Sequence, residues 1–560
     1  MMLIPAIAML VGALLVALLP RNLGRIPLIA APLLTLLWIW QPAAGDGVVH
    51  WLGTELDFFE SSPLRQLFAT VFAVMATIGG LYAMNHSLRT ELAAAMGYAG
   101  SALGVCFAGD LLSFFIFWEL MAIFSTVIIW CGKTEAARAA GWRYAILHFL
   151  GGVILMVGIA ALWLQGQQTI SALDLHNAAA WCVLIGVLIN AGAPPLGAWV
   201  ADAYPEASLG GTVMLSAFTT KTAVLALILL FPGADILLTI GPLMVIYGMI
   251  YALLTHDIRR LLAYSIVGQV GFMVTAVGVG TELALSAAAA HAFTHILYKG
   301  LLMMAAGAVM LQTGERTLDR LGGLASRMPF TAFCMIVGAL TISAVPLTSG
   351  YVSKSLISAA VSSGEFVMAS AVLSFATAAA MVYVGLRLPW FVFFDKTKTQ
   401  QTSNEQLTDP PVNMKWAMGL LVATCVAIGC APTLLYTLLP YDVAMTVTPY
   451  SVSKLLGTVP LLLVGAVVFF VTRKWLQPQA RTLIDTDWLY RRAALSVWRF
   501  GESIWCALRN TLVGWMRADG KYVTLCLRAF AQGGWLARSL TVGAMMSLLV
   551  GLLLLVVVLT

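Results

Sequence analysis

Sixteen apolar runs follow one another along this chain, from Met2 to Pro20 at one end to Leu540 to Leu559 at the other. Each approaches or exceeds the ~20 residues that a helix needs to cross a hydrocarbon layer of ~30 Å. In lipid every backbone N–H and C=O must be satisfied within the segment, so runs of this length can only be helices. With 61% hydrophobic and 10% charged residues over 560 positions, the chain reads as an all-α polytopic membrane protein and not as a soluble enzyme.

The charges between the runs carry orientation, because Lys and Arg collect on the cytoplasmic side. Loops after odd-numbered runs hold most of them, among them Arg21, Arg25, Arg89, Lys133, Arg138, Arg259, Arg260, Arg316 and Arg320, whereas loops after even-numbered runs hold only Arg65 and Lys454. This predicts a multi-pass protein of the cell (plasma) membrane with its N-terminus outside, and a first run retained as a span. The net charge of +6 then marks topology, and no nucleic-acid partner is expected. The eight cysteines show no CxxC spacing and no neighbouring His, so no metal site is expected. No GxGxxG or P-loop is present, which argues against a bound cofactor.

Against this background Glu119, Lys221, His291, His295, Lys299 and Lys354 stand inside otherwise apolar segments. A charge at the bilayer centre costs roughly 2.5 to 3.5 kcal/mol even on the lenient insertion scale. Such residues persist where they line a pathway or pair with one another, or where they brace helix against helix. His291, His295 and Lys299 recur at i, i+4 and i+8, along one helix face. Histidine titrates near neutral pH, which suits such a row to passing protons.

Helix breakers fall beside these charges. Pro194, Pro195 and Pro205 interrupt the stretch that reaches Lys221, and Pro346 with Gly350 interrupts the one that reaches Lys354. Pro195-Leu196 followed by Trp199-Val200 is echoed by Pro346-Leu347 followed by Tyr351-Val352. Paired interruptions in two halves point to inverted repeats with a site at their interface.

Four stretches carry a family resemblance: Asp110 to Glu119, Pro194 to Glu206 running on to Lys221, Asp257 to Ser265, and His291 to Lys299 with Ser349 to Lys354. In order and spacing they resemble the antiporter-like subunits shared by Mrp-type sodium/proton antiporters, respiratory complex I and membrane hydrogenases. The resemblance implies a fourteen-helix core with two inverted five-helix repeats and broken helices. It also implies a midplane line of charges that relays protons through that core. Glu119 takes the place of the family's helix-five carboxylate, Lys221 of its bridging lysine, His295 and Lys299 of its helix-eleven relay, and Lys354 of its terminal lysine. One position departs. Where the family usually carries a helix-seven lysine, this chain has Asn190, so Glu119 lacks its expected partner. Either His148 or Lys221 substitutes, or the first half-channel has changed its role and Glu119 is structural. Arg387, a further charge, either snorkels to the interface or assists proton exit.

Beyond the core, Trp488, Leu495, Trp498, Trp505, Leu508, Leu512 and Trp515 form a helical stripe interspersed with arginines. This predicts a basic amphipathic surface helix facing lipid headgroups or a neighbouring subunit, followed by a last span. The expected segments are N-terminal helices (1–91), a first repeat (92–255), a second repeat (256–400), C-terminal core helices (401–481) and the lateral-type helix with its final span (482–560). The expected function is proton translocation as one non-catalytic subunit of a multi-subunit sodium/proton antiporter. The alternatives are a proton-pumping subunit of a redox complex and the membrane part of an inorganic-carbon uptake system.

Overall fold

The computed structural model describes residues 5–479 apart from 42–46, 52–53, 363–365 and 396–406, then 485–493 and helical positions scattered up to 509. It holds two compact units, Met1–Leu483 and Ile484–Thr560. In the first, α1 (Pro5–Leu18) and α2 (Arg21–Ile39) precede a hairpin of β1 (Val48–Trp51) and β2 (Thr54–Asp57). There follow α3 (Pro63–Ala83), α4 (Arg89–Phe107), α5 (Leu111–Trp130), α6 (Glu135–Leu164), α7 (Ala178–Ala191), α8 (Trp199–Ala203), α9 (Leu209–Leu215) and α10 (Thr219–Leu230). The chain goes on through α11 (Leu237–Leu254), α12 (Ile258–Val279), α13 (Glu282–Thr313), α14 (Pro329–Ile342), α15 (Ser349–Ser362) and α16 (Val367–Ala380). The π-helical turns Met381–Leu386 and Trp390–Phe394 flank α17 (Arg387–Pro389), and α18 (Val412–Cys430), α19 (Thr433–Tyr436) and α20 (Val452–Thr472) complete the unit.

Among the described residues eleven helices are long and apolar enough to cross a membrane, counting α9 with α10 and α16 with the turns that extend it. The shorter α1, α7 and α14 are apolar as well. α4 is a nineteen-residue helix that is almost wholly buried. These fifteen elements account for fifteen of the sixteen apolar runs; the last run lies outside the described residues. α15 is not among the runs. Its Ser349, Ser353, Lys354, Ser355 and Ser358 dilute the apolar signal, yet it packs on α13 and continues the crossing that α14 begins.

Polar residues at the segment ends start the helices and set the topology. Asp110 accepts from the backbone N–H groups of Leu112 and Ser113, each at 2.8 Å, and so caps α5. Asp257 caps α12 in the same way through Arg259 and Arg260. Each aspartate also forms an isolated β-bridge, Asp110 with Thr169 and Asp257 with Thr317, in the loop beyond the following helix. Thr134 and Thr281 cap α6 and α13. Asp110 to Asp257, Thr134 to Thr281 and His148 to His295 are all related by one shift along the chain.

The two copies of this device sit at opposite ends of the bundle. Asp110 meets β2 through the backbone N–H of Asp57 (2.7 Å), whereas Arg259 at the other end donates to the carbonyls of Ala207 and Ser208 (2.7 and 2.8 Å). Two five-helix units of like construction therefore run in opposite senses across the core, α4 to α10 and α11 to α17, so α11, expected to close the first repeat (92–255), instead opens the second because it is the counterpart of α4. Membrane-crossing elements are broken in both: α7 stops at the left-handed Gly192 before α8, α9 stops at Ser216 before α10, and α14 stops at Ser343 before α15. Ala344 and Leu347 hold φ values of 59° and 67° in this last gap. Non-glycine residues take such a conformation at a cost of order 1 kcal/mol or more, so the surrounding packing fixes the break.

In the second unit Leu489–Ala493 forms a π-helical turn, and the other described residues from 487 to 509 are helical. Trp488 and Trp505 are exposed there. Leu512, Trp515 and the run from Leu540 to Leu559 lie outside the described residues.

Candidate functional site

α13 is buried along nearly its whole length and presents His291, His295 and Lys299, all fully buried, toward α12 and α15. Neighbouring hydroxyls and amides hold two of the three. His291 Nδ1 lies 2.9 Å from Ser353 Oγ and its Nε2 3.2 Å from Gln269 Oε1. Lys299 Nζ donates to Ser265 Oγ at 2.6 Å and, more weakly, to the Leu262 carbonyl at 3.4 Å. Thr294 and Tyr298 close the network by donating to Ser353 and Gln269. His295 differs, because both of its ring nitrogens are buried without a hydrogen-bond partner. It lies within electrostatic range of Lys221, Lys299, His291 and Lys354, so Lys221 of the first repeat joins four groups of the second.

The two outer lysines rest on helix breaks. Lys221 Nζ donates to the Ser216 carbonyl at 2.6 Å, in the gap between α9 and α10. Lys354 Nζ donates to the Ile342 carbonyl at 2.9 Å, where α14 ends, and lies 4.7 Å from the centre of the Phe272 ring. A break frees carbonyls that a continuous helix would consume, and an ammonium with three donors uses them. A cavity of about 310 Å³ opens beside Lys354 between α15, α16 and α20, lined by Ser355, Ser358, Ser374 and Lys454 among others. A second, of about 430 Å³, lies at the end of the bundle that carries Arg259 and Arg316 and reaches His86, Glu206 and Ser208.

The first repeat is built differently. Glu119 on α5 is half-buried, and its Oε1 is buried without a partner. A Cβ added at Gly152 would fall on that oxygen, so the carboxyl occupies a seat that only a glycine leaves open. Under the shift that relates the repeats, Gly152 matches Lys299 and Glu119 matches Ile266: acid and base have exchanged helices. Neither His148 nor Lys221, the two candidate partners, is bonded to Glu119. His148 stacks on Tyr144 with ring centroids 3.8 Å apart, meets Trp199 edge-on, and leaves Nε2 unpartnered. Asn190 is buried one residue beyond Ile189, whose carbonyl accepts from Trp199 Nε1, and its own Oδ1 has no partner.

Arg387 is 3% exposed and does not extend to the interface as a snorkelling side chain would. Its guanidinium donates to the carbonyls of Ala252, Thr255 and Leu476 at 3.2 to 3.4 Å, tying the C-terminal end of α11 to the turn after α20. Ser353, Tyr98, Tyr144 and Thr219 do not stand out in the sequence. Ser265 and Gln269, polar and four apart in the apolar α12, are the one signal that points toward the network.

Residues 108–380 match the family described as NADH:quinone oxidoreductase/Mrp antiporter, transmembrane. Among relatives, the D component of the Na(+)/H(+) antiporter of Alkalihalophilus pseudofirmus is 26% identical over 343 residues, 56% of this chain and 69% of that protein. Hydrogenase-4 component B of Escherichia coli is 28% identical over 417 residues, 65% of this chain; the match spans 61% of that longer protein. The solved structure of the Mrp complex from Dietzia sp. DQ12-45-1b contains a chain of the same fold, with a TM-score of 0.68 at 21% identity, covering 82% of this chain and 98% of that one. Across residues 108–380 the chain is thus similar to the antiporter-like membrane subunits, and over most of its length it has their fold.

Proposed function

We propose that the protein is the proton-carrying subunit of a multi-subunit sodium/proton antiporter of the Mrp type. The observation that carries this reading is the row on α13: three fully buried ionisable side chains on one helix face, flanked by two lysines seated on helix breaks. Burial of this many proton-binding groups without counter-charges is costly, and transport of protons is the use that accounts for it. A proton passes from Lys221 to His295, whose unpartnered nitrogens accept and release it, and on by way of Lys299 and His291 to Lys354. The cavity beside Lys354 gives the terminal group access to water.

Glu119 supports a shared assembly. It stands on a face of α5 that also carries the exposed Ile123, and a carboxyl group on such a face is costly against lipid. A neighbouring membrane subunit covers it. Similarity to hydrogenase-4 component B favours a second reading, in which that assembly is a redox complex and the same row pumps protons. Purifying the complex from its native membrane and reconstituting it separates them. Sodium-driven proton movement without an electron donor supports the antiporter. Proton uptake only during electron transfer, with iron-sulfur subunits co-purifying, supports the redox pump and refutes the antiporter.

A further inference from the structure

The first repeat lacks an ionisable residue at Asn190, yet five hydroxyls meet in its interior. Tyr144 lies against His148 and donates from its hydroxyl to Ser125 Oγ at 2.9 Å. The same Tyr144 interacts with Thr219. Thr219 Oγ1 lies 2.5 Å from the Tyr98 hydroxyl, which also accepts the Thr219 backbone N–H at 2.9 Å. Tyr204 closes the group: its hydroxyl is buried, stands near Tyr98 and Thr219, and does not meet the geometry of a hydrogen bond. All five side chains are at most 1% exposed. They come from α5, α6, α10, α4 and the turn after α8, so five separate elements each deliver one hydroxyl to one place.

That place is the break between α9 and α10. Tyr98 holds the first N–H of α10 there, and Lys221 holds the Ser216 carbonyl of the same gap. Between Thr219 and Lys221 stands Thr220, whose hydroxyl is buried without a partner. Leaving a buried hydroxyl unpaired costs about 1 to 3 kcal/mol. Two such hydroxyls, Tyr204, beside Tyr98 and Thr219, and Thr220, next to Thr219 in the chain, are therefore open positions for a donor or acceptor.

We propose that Ser125, Tyr144, Thr219, Tyr98 and Tyr204 form a neutral proton wire that joins the side of His148 and Glu119 to Lys221, in place of an ionisable residue at position 190. This rests on the proton-relay reading above. A hydroxyl has one hydrogen to give and lone pairs to receive. Once the Tyr144 hydroxyl has turned its hydrogen from Ser125 toward Thr219, a proton arriving on the Tyr144 oxygen from the Ser125 side is matched by departure of that hydrogen to Thr219. Thr219 in turn releases its hydrogen toward Thr220 and the neutral Lys221 amine, which becomes the ammonium. Every hydroxyl ends with one hydrogen, and its rotation about the C–O bond restores the starting orientation. No tyrosine ionises at any stage.

The test uses the assembled complex in proteoliposomes, with proton flux measured per assembled complex in H2O and in D2O. Tyr144→Phe, Tyr98→Phe and Thr219→Val each remove a hydroxyl at nearly constant shape, and each is expected to slow proton flux at least ten-fold and to enlarge the solvent isotope effect. Thr219→Ser, which restores the hydroxyl, is expected to recover most of the rate lost in Thr219→Val. Lys221→Ala serves as the reference for the relay itself. Wild-type flux in the three hydroxyl variants alongside loss in Lys221→Ala overturns the wire and leaves the relay standing. Slow flux in Thr219→Val that serine does not recover, with an unchanged isotope effect, also overturns it, because the cluster is then structural. Wild-type flux in Lys221→Ala overturns the relay reading on which the wire rests.

Discussion

Replacing Gly152 by alanine separates packing from transport at the first repeat. The added methyl would occupy the space of Glu119 Oε1, so the carboxyl must retreat by on the order of 1.5 Å to reach ordinary van der Waals separation. Such a shift is within reach of side-chain rotation and costs about 0.5 to 1.5 kcal/mol if it leaves a preferred rotamer. Gly152 is mid-helix in α6, where alanine is favoured over glycine by about 1 kcal/mol. The two effects nearly cancel, and the melting temperature of the purified protein is expected to change by a few degrees at most. Transport is not so protected. A reacting group displaced by about 1 Å can lose on the order of a hundred-fold in rate. Gly152→Ala is therefore expected to leave a stable, assembled protein with proton flux reduced at least ten-fold. Loss of more than about 3 kcal/mol of stability would show that the carboxyl cannot move and that Glu119 braces the fold. Unchanged flux in a stable variant would show that the seat of Glu119 has no part in transport.

Arg387→Met removes donors from three carbonyls at a helix end and is expected to destabilise the fold by about 2 to 3 kcal/mol, read as a lower melting temperature, with flux per assembled complex unchanged. His86 lies in the loop between α3 and α4, where burial, and then the charge of Arg21, holds its pKa below the ordinary value. The folded state then binds this proton less readily than the unfolded chain, so its contribution to stability is complete above about pH 6.5 and is lost as the pH falls. His86→Gln should flatten the acid side of a melting-temperature profile between about pH 5 and 7. Deleting residues 482–560 removes the second compact unit together with the end of the segment before it, and is expected to leave the first unit folded by thermal melting while weakening its recovery with partner subunits.

Much of this architecture is legible in the sequence because membrane solvation leaves few alternatives. Runs of apolar residues locate fifteen described elements, and the spaced His291, His295 and Lys299 stand out because charge is rare at that depth. The second half of a broken crossing escapes such a reading, since the serines and lysine of α15 erase the apolar run that identifies a span. Arg387 escapes it for a related reason: sequence places a side chain by depth, whereas its partners are carbonyls of α11 and of a turn some ninety residues on, which only the packing brings near. The seat of Glu119 is hidden because it consists of an absence, the missing side chain of Gly152 on another helix. The hydroxyl cluster draws no attention because Tyr, Thr and Ser are common in membrane helices, and convergence of five of them is a property of the folded chain alone.

The central claim is that protons cross the protein along the buried row on α13. It is tested most directly by proton flux through the reconstituted complex carrying Lys299→Ala, with assembly verified on the same preparation. Lys299 is fully buried and bonded to Ser265 and Leu262 within that row. The account predicts loss of at least nine-tenths of coupled proton flux from an intact complex; wild-type flux in that variant would contradict it.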